Sequence, residues 1–220
     1  MKSVVFDMDG VIFDSERATH DCWMEIARRH GFAEDLDVPY MKCIGVNAQM
    51  TKEIFCAHYG ADFPYEEYRI EESKLYHDTY DHGRLPLKPG IREILTWLKE
   101  NGVDTAVASS TRRAVVLSEL QDAGLDRYFD RIIGGDMVTK SKPEPDIFLK
   151  ALEGTDIMPE EAIVIEDSYN GIRAAKNAGM LPVMVPDMLP PDEEMREKAI
   201  LIAQDLTEVL AWLKGRKNGI

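Results

Sequence analysis

The stretch Ser3-Val4-Val5-Phe6-Asp7-Met8-Asp9-Gly10 decides how this chain folds. Its first half is a short run of β-forming apolar residues, which is typical of a buried strand. Its second half places two carboxylates and a glycine directly after that strand. In open α/β sheets, functional groups lie beyond the carboxyl ends of the strands. The polar residues that follow each further strand are therefore the candidates for a functional site.

Apolar strands alternate with amphipathic helices from residue 86 onward. The pattern predicts strands at residues 103–108, 131–133, 162–165 and 181–185, and helices at 91–100, 112–123, 145–152, 171–178 and 205–213. Glycines and prolines punctuate these elements, as expected for helix and strand ends. Such alternation predicts an α/β fold, with a doubly wound, Rossmann-like parallel sheet.

Residues 15–85 interrupt this alternation with a different pattern. Apolar residues recur at helical spacing over 15–30, and further helical stretches run from about 48 to 59 and, rich in Glu, Lys and Tyr, from about 65 to 80. The segment has no strand signal. We therefore predict two domains: residues 1–14 and 86–220 form the α/β core, and residues 15–85 form an all-helical insertion.

Composition limits the classes of function. The chain has 220 residues and a net charge of −14, which argues against nucleic acid as a partner. No apolar run approaches the ~20 residues needed to span a bilayer, and the N-terminus lacks a secretory pattern. The three cysteines match no metal-site spacing and are interpreted as reduced packing residues. We expect a cytoplasmic protein without a membrane partner, either a monomer or a weak homodimer.

The first strand end presents Asp7 and Asp9. Two carboxylates so close together repel each other, and a divalent cation with oxygen ligands relieves that repulsion. An Asp carboxylate can also attack phosphorus, while a second carboxyl donates a proton to the leaving group. A simple turn stabilised by Asx-type hydrogen bonds explains the same pattern.

The next two strand ends present hydroxyls and a cation. A hydroxyl of Ser109-Ser110-Thr111 can bind a phosphoryl oxygen, although Thr111 also suits the N-cap of the following helix. Lys142 precedes Pro143 and Pro145, so its exit direction is restricted, and a fixed ammonium is what an anionic substrate needs in an acidic chain. A solvated surface lysine is the alternative.

The strand at 162–165 is followed by Glu166, Asp167 and Ser168. These acids would complete an oxygen-only Mg²⁺ site with Asp7 and Asp9, or Asp167 or Ser168 could cap the next helix. Four successive strand ends thus carry groups suited to phosphate chemistry, and the strand-end rule places them together.

In these motifs the chain resembles the haloacid dehalogenase-like superfamily, in its phosphatase and phosphomutase branch with an α-helical cap. The resemblance covers essentially the whole chain and rests on Asp7-Met8-Asp9-Gly10-Val11, Ser109, Lys142-Pro143 with Pro145-Asp146, and Glu166-Asp167-Ser168 with Gly171-Ile172. It implies that the insertion is a mobile cap closing over the site.

The resemblance also implies a role for each matching residue. Asp7 would be the nucleophile and a Mg²⁺ ligand, and Asp9 the general acid/base with its carbonyl on the metal. Ser109 and Lys142 would bind the transferring phosphoryl group. Asp167 would be a metal ligand, with Glu166 either a second ligand or an outer partner.

The expected activity is Mg²⁺-dependent hydrolysis of a small phosphomonoester, of the sugar phosphate or phosphoglycolate type, through an aspartyl-phosphate. The alternatives are a β-phosphoglucomutase-like intramolecular phosphomutase and a non-catalytic binder of a phosphometabolite. Thr19 and Ala48 stand where the mutase has a histidine and an arginine. Ser110 and the cap residues Asn47 and Gln49 are candidates for substrate contacts.

Overall fold

The computed structural model describes residues 1–44, 46 and 48–217. The chain divides into two compact units. The larger unit consists of Met1–Asp14 and Pro86–Ile220, and the smaller unit is Ser15–Leu85.

In the smaller unit, the regular secondary structure of the described residues consists of helices joined by turns, without a strand. Its α-helices are α1 (Ser15–His30), α2 (Asp37–Tyr40), α3 (Ala48–Tyr59) and α4 (Tyr65–Tyr80). An aromatic core joins three of them, because Trp23 of α1 packs against Phe55 of α3 and Tyr65 of α4 at ring-centroid distances of 4.9 and 5.7 Å. All three cysteines lie in this unit and are free, as the sequence predicts.

The larger unit is built on a parallel sheet, whose described strands are β1 (Ser3–Phe6), β2 (Asp104–Ser109), β3 (Arg131–Gly134), β4 (Ala162–Glu166), β5 (Leu181–Met184) and β6 (Leu201–Ile202). Their order in the sheet is β3-β2-β1-β4-β5-β6. β1 and β4 are buried along their whole length, which is expected of central strands covered on both faces. The predicted α/β fold class is confirmed.

Helices connect these strands and cover the sheet. They are α5 (Ile91–Glu100), α6 (Arg113–Asp122), α7 (Asp146–Leu152), α8 (Tyr169–Asn177), α9 (Glu193–Lys198) and α10 (Leu206–Lys217). The pattern missed α9 and β6, because both are too short to show a period. It also started α8 at Gly171, whereas Ser168 caps the helix and its side chain accepts a hydrogen bond from the Gly171 amide.

Strand register determines which residues share an edge of the sheet. Phe6 pairs with Val107 of β2 and with Ile165 of β4. Asp7 is therefore level with Ala108 on one side and Glu166 on the other. The residues that follow the central strands all emerge at the carboxyl edge of the sheet.

Candidate active site

A buried lysine stands between two buried carboxylates at the carboxyl edge of the sheet. The Lys142 ammonium donates to Asp7 Oδ1 at 2.6 Å and to Glu166 Oε1 at 2.7 Å. The Lys142 side chain is 8% exposed, and its ammonium also lies 5.1 Å from the centre of the Phe148 ring. The lysine is therefore a fixed cation inside the site rather than a solvated surface residue.

A third carboxylate completes the group. Carboxylate oxygens of Asp7, Glu166 and Asp167 lie within 4.8 Å of one another, and all three residues are buried. Three carboxylates face one ammonium, so two negative charges remain when all the groups are ionised. Hard oxygen donors at this spacing suit Mg²⁺, and the residues present therefore fit a divalent cation.

Glu166 is the most constrained member of the three. Its Oε1 accepts from Lys142, and its Oε2 accepts from both the amide and the hydroxyl of Ser168 at 2.9 Å each. These bonds fix the orientation of the carboxylate. Asp7 and Asp167 are consequently the better candidates for direct ligands, with Glu166 supporting them.

Two glycines leave room for these carboxylates. A Cβ on Gly10 would overlap the Asp167 carboxyl, and a Cβ on Gly171 would overlap the Glu166 carboxyl. Gly10 also has φ of 75°, in the left-handed region that favours glycine. Both glycines are therefore required by packing at the acidic cluster.

The electrostatics reflect a buried site with an excess of negative charge. Burial raises the pKa of Asp7 to about 8, opposed by Lys142 and reinforced by Glu166 and Asp9. Burial lowers the pKa of Lys142, but the charges of Asp7 and Glu166 outweigh burial and raise it overall. The ammonium is therefore charged at every physiological pH.

Hydroxyl groups at and just after the end of β2 bind the carboxylate of Asp9. Thr111 Oγ1 donates to Asp9 Oδ2 at 3.1 Å, and Ser109 Oγ lies 3.4 Å from the same oxygen. The Thr111 amide in turn donates to Ser109 Oγ at 3.0 Å. Ser109, Thr111 and Asp9 thus form one hydrogen-bonded group beside Asp7.

The expected N-cap role of Thr111 is wrong. α6 begins at Arg113 with Arg112 at its N-cap, and that cap has no side-chain hydrogen bond. The sequence did indicate that Thr111 could contact Asp9, because Ser109, Ser110 and Thr111 are three consecutive hydroxyl residues at the end of one strand. Distance along the chain could not show which of the three hydroxyls reaches Asp9.

The remaining candidate residues are Ser110, Gln49 and Asn47. Ser110 is exposed on the same loop. Gln49 lies in the smaller unit, where its amide donates to Glu53 Oε1 at 2.8 Å. Asn47 lies outside the described residues. A role in substrate binding stays a prediction for all three.

Comparisons with known proteins place the chain in a family. A family model described as "Haloacid dehalogenase-like hydrolase" matches residues 4–185. The chain belongs to the haloacid dehalogenase-like hydrolases. The resemblance found in the motifs is thereby confirmed, and the chain is an enzyme, a phosphoric monoester hydrolase of this family.

Relatives within the haloacid dehalogenase-like hydrolases include phosphatases and a mutase. The chain is 33% identical over 186 residues to the phosphorylated carbohydrates phosphatase of Thermotoga maritima, covering 82% of each chain. It is 32% identical to the β-phosphoglucomutase of Bacillus subtilis, covering 94% of this chain and 95% of the relative.

A solved structure shares the fold over nearly the full length. It is a Thermotoga maritima protein described as a candidate β-phosphoglucomutase, with a TM-score of 0.80 and 30% identity. The match covers 98% of this chain and 99% of the other. Among residues 1–44, 46 and 48–217, no helix is both long and apolar enough to cross a membrane.

Proposed function

We propose that this enzyme is a Mg²⁺-dependent phosphatase that hydrolyses a small phosphomonoester through an aspartyl-phosphate on Asp7. The observation that carries the proposal is the position of Asp7, a buried carboxylate bonded to Lys142 and grouped with Glu166 and Asp167. A carboxylate so placed has a cation to attract the phosphoryl group and ligands for a metal beside it.

Asp7 is the proposed nucleophile. One of its carboxylate oxygens attacks phosphorus, the bond to the ester oxygen breaks, and the phosphoryl group is transferred to Asp7. Lys142 and Ser109 bind the oxygens of the transferring group. Asp7, Asp167 and the Asp9 carbonyl would hold Mg²⁺, with Glu166 supporting them, and the ion would neutralise further charge on the transferring group.

Asp9 is the proposed general acid/base. It donates a proton to the departing ester oxygen, which leaves as an alcohol. It then takes a proton from the water that attacks the aspartyl-phosphate, which releases inorganic phosphate and restores Asp7. The hydrogen bonds from Thr111 and Ser109 orient the Asp9 carboxylate for both transfers.

The two units have separate proposed roles. Residues 1–14 and 86–220 form the catalytic core, and residues 15–85 form a cap that excludes water and positions the leaving group. A sugar phosphate or a phosphoglycolate-type ester is the proposed substrate class. The name of the Thermotoga maritima relative, a phosphatase of phosphorylated carbohydrates, supports the first of these.

Intramolecular phosphomutase activity is the second candidate, supported by similarity to the Bacillus subtilis β-phosphoglucomutase. Two residues argue against it, since Thr19 and Ala48 replace the histidine and arginine expected of the mutase. The adjacent His20 is bonded to Asp37 within the smaller unit, at 2.7 Å. Conversion of β-glucose 1-phosphate to glucose 6-phosphate without phosphate release would favour the mutase.

A hydrolysis screen tests the proposal. We expect Mg²⁺-dependent phosphate release from p-nitrophenyl phosphate and from some member of a phosphometabolite panel, abolished by EDTA. Asp7→Asn should lower kcat by roughly 10⁴-fold or more, because the nucleophile is lost. Mass spectrometry of quenched enzyme should find a hydroxylamine-sensitive phosphoryl group on Asp7.

Two results would contradict the proposal. One is the absence of phosphate release from every compound in the panel, and persistent binding without turnover would then favour a phosphometabolite binder. The other is an Asp7→Asn enzyme as active as the wild type. Asp122→Asn, at an exposed residue of α6, is the matched control and should retain full activity.

A further inference from the structure

The two places where the chain passes between the units are hydrogen-bonded to each other inside the larger unit. The Asp14 amide donates to the Pro86 carbonyl, and the Lys88 amide donates to the Ile12 carbonyl, each at 2.9 Å. Phe13 and Leu87 form an antiparallel bridge between these bonds. Residues 12–14 and 86–88 are therefore a short two-stranded ribbon, named here the crossover ribbon.

The crossover ribbon continues directly from the residues of the active site. Residues 8–14, named here the catalytic loop, include Asp9 and coil back on themselves. In this loop the Gly10 amide donates to the Phe13 carbonyl at 3.0 Å, and the Ile12 amide donates to the Met8 carbonyl at 2.8 Å. Asp9 and Phe13 also form an isolated parallel β-bridge. A displacement of the ribbon would therefore displace Asp9.

Ion pairs made by Lys88 connect the crossover ribbon to the loop that follows β5. The Lys88 ammonium donates to Asp187 Oδ1 at 2.7 Å and to Asp14 Oδ1 at 3.3 Å. Asp187 lies in the loop after β5, and its side chain is 2% exposed. Within the described part of the chain, the other Asp187 oxygen is buried and has no hydrogen-bond partner. Asp187 therefore depends on Lys88 to compensate its charge.

We propose that Lys88 is a positioning residue for the general acid/base, a role that rests on the proposed function and refines it. Its ammonium holds the end of the catalytic loop at Asp14 against the β5 loop at Asp187. This fixes the far end of the segment that presents Asp9, while Ser109 and Thr111 hold the Asp9 carboxylate. Lys88 acts through the loop and does not contact the reacting groups.

The choice of leaving group provides a test that a purely structural role would not pass. The alcohol of glycerol 2-phosphate needs a proton from Asp9, whereas p-nitrophenol leaves with little assistance. Lys88→Met should therefore lower kcat/KM for glycerol 2-phosphate about tenfold or more and affect p-nitrophenyl phosphate much less. Lys88→Arg, which keeps the cation, should restore most of the loss.

Hydrogen exchange tests the same proposal without any substrate. In Lys88→Met the amides of Asp14 and Lys88 should exchange faster, while amides of β1 and β4 should stay protected. Lys99→Met removes an exposed lysine elsewhere in the larger unit and should change neither exchange nor activity. If the wild type releases phosphate from neither ester and from no compound of the panel, the proposed function fails, and hydrogen exchange at the crossover ribbon alone decides whether Lys88 holds the catalytic loop.

A folding failure must be separated from a positioning defect. Lys88→Met leaves the buried Asp187 carboxylate uncompensated, so the double variant Lys88→Met with Asp187→Asn repeats the test without that charge. Equal loss on both esters, an unchanged exchange rate at the ribbon, or wild-type kinetics in the folded double variant would overturn the proposal. Failure of both variants to fold would overturn it too, since Lys88 would then be structural.

Discussion

At the residue scale, Lys142 supplies a fixed positive charge to the active site of an acidic protein. The chain has a net charge of −14, which repels a phosphate ester at long range. Inside the site, one buried ammonium bonded to Asp7 and Glu166 provides a positive charge with a fixed direction. Because the surroundings are buried, that charge is screened much less than a surface lysine would be. Local geometry therefore outweighs the overall charge.

Thr111 provides a test of the hydrogen bonds to Asp9. Thr111→Val keeps the shape of the side chain and removes the hydroxyl that donates to Asp9 Oδ2. A hydrogen bond to a charged group contributes about 1.5–3 kcal/mol, so kcat should fall roughly tenfold or more. Steady-state kinetics with glycerol 2-phosphate, whose leaving group needs a proton from Asp9, measures the change. The control is Thr155→Val, whose hydroxyl donates to the Leu152 carbonyl away from the site.

At the scale of the element, the position of helix α8 depends on its close contact with the end of β4. Ser168 caps the helix and also donates to Glu166 through its amide and its hydroxyl. Gly171 in the first turn lets the helix pack against the Glu166 carboxyl. One short segment thus ends the strand, begins the helix and orients a carboxylate of the site.

Replacing two helical glycines by alanine should have opposite effects on the stability of the protein. Gly171→Ala should destabilise the protein by roughly 1–3 kcal/mol and lower activity, because its Cβ would displace Glu166. Gly215→Ala in α10 meets no neighbouring atom and should stabilise the helix by up to about 1 kcal/mol. Urea unfolding measures both variants. Equal stability of the two variants would show that α8 can shift away from the carboxylate.

Helix α4 contains a buried acid that the proposed mechanism does not use. Glu72 is 8% exposed, and burial raises its pKa from 4.5 to about 7, against smaller opposing effects of His77 and Arg69. The folded unit therefore binds this proton more tightly than the unfolded chain does. The resulting stabilisation is complete below pH 4.5 and is lost as the pH rises through 7.

Glu72→Gln removes this pH dependence. Above pH 7 the variant should be more stable than the wild type by up to about 3 kcal/mol, and near pH 4.5 the two should be similar. Trp23, which packs in the core of the smaller unit, can report its unfolding by fluorescence if Trp97 and Trp212 are replaced by Phe. The exposed Glu67→Gln is the control. A stability difference that stays constant between pH 4.5 and 8 would contradict the assignment.

At the scale of the whole molecule, the acidic cluster links metal binding to folding. Asp7 follows β1, whereas Glu166 and Asp167 lie at the end of β4, about 160 residues further along the chain. These carboxylates come together only when the sheet forms, so a cation bound by all of them favours the folded state. Metal affinity and stability are therefore coupled.

Mg²⁺ should consequently raise the melting temperature. At a free concentration of about 100 times Kd the stabilisation is about 2.7 kcal/mol, or roughly 5–10 °C for a protein of this size. Differential scanning calorimetry with Mg²⁺ and with EDTA measures the shift. Asp167→Asn should reduce it, whereas the exposed Asp122→Asn should not. The same shift in both variants would place the bound ion elsewhere.

The sequence by itself determined the α/β fold and the identity of the strand-end residues. Short apolar runs predict the central strands, and parallel strands deliver their following residues to one edge of the sheet. The sequence pattern is therefore enough to select Asp7, Ser109, Lys142 and Glu166. Local patterns of this kind need only neighbouring residues. The same reasoning missed β6 and α9, because two and six residues are too few to define a period.

Tertiary structure alone decided the contacts between distant side chains. It placed Thr111 on Asp9, packed Gly171 against Glu166, buried Glu72, and paired Lys88 with Asp187 across 99 residues of chain. Such contacts depend on strand register, helix placement and rotamer, and none of these is encoded in residue spacing. Local patterning therefore specifies which groups reach the edge of the sheet, and packing specifies which of them touch.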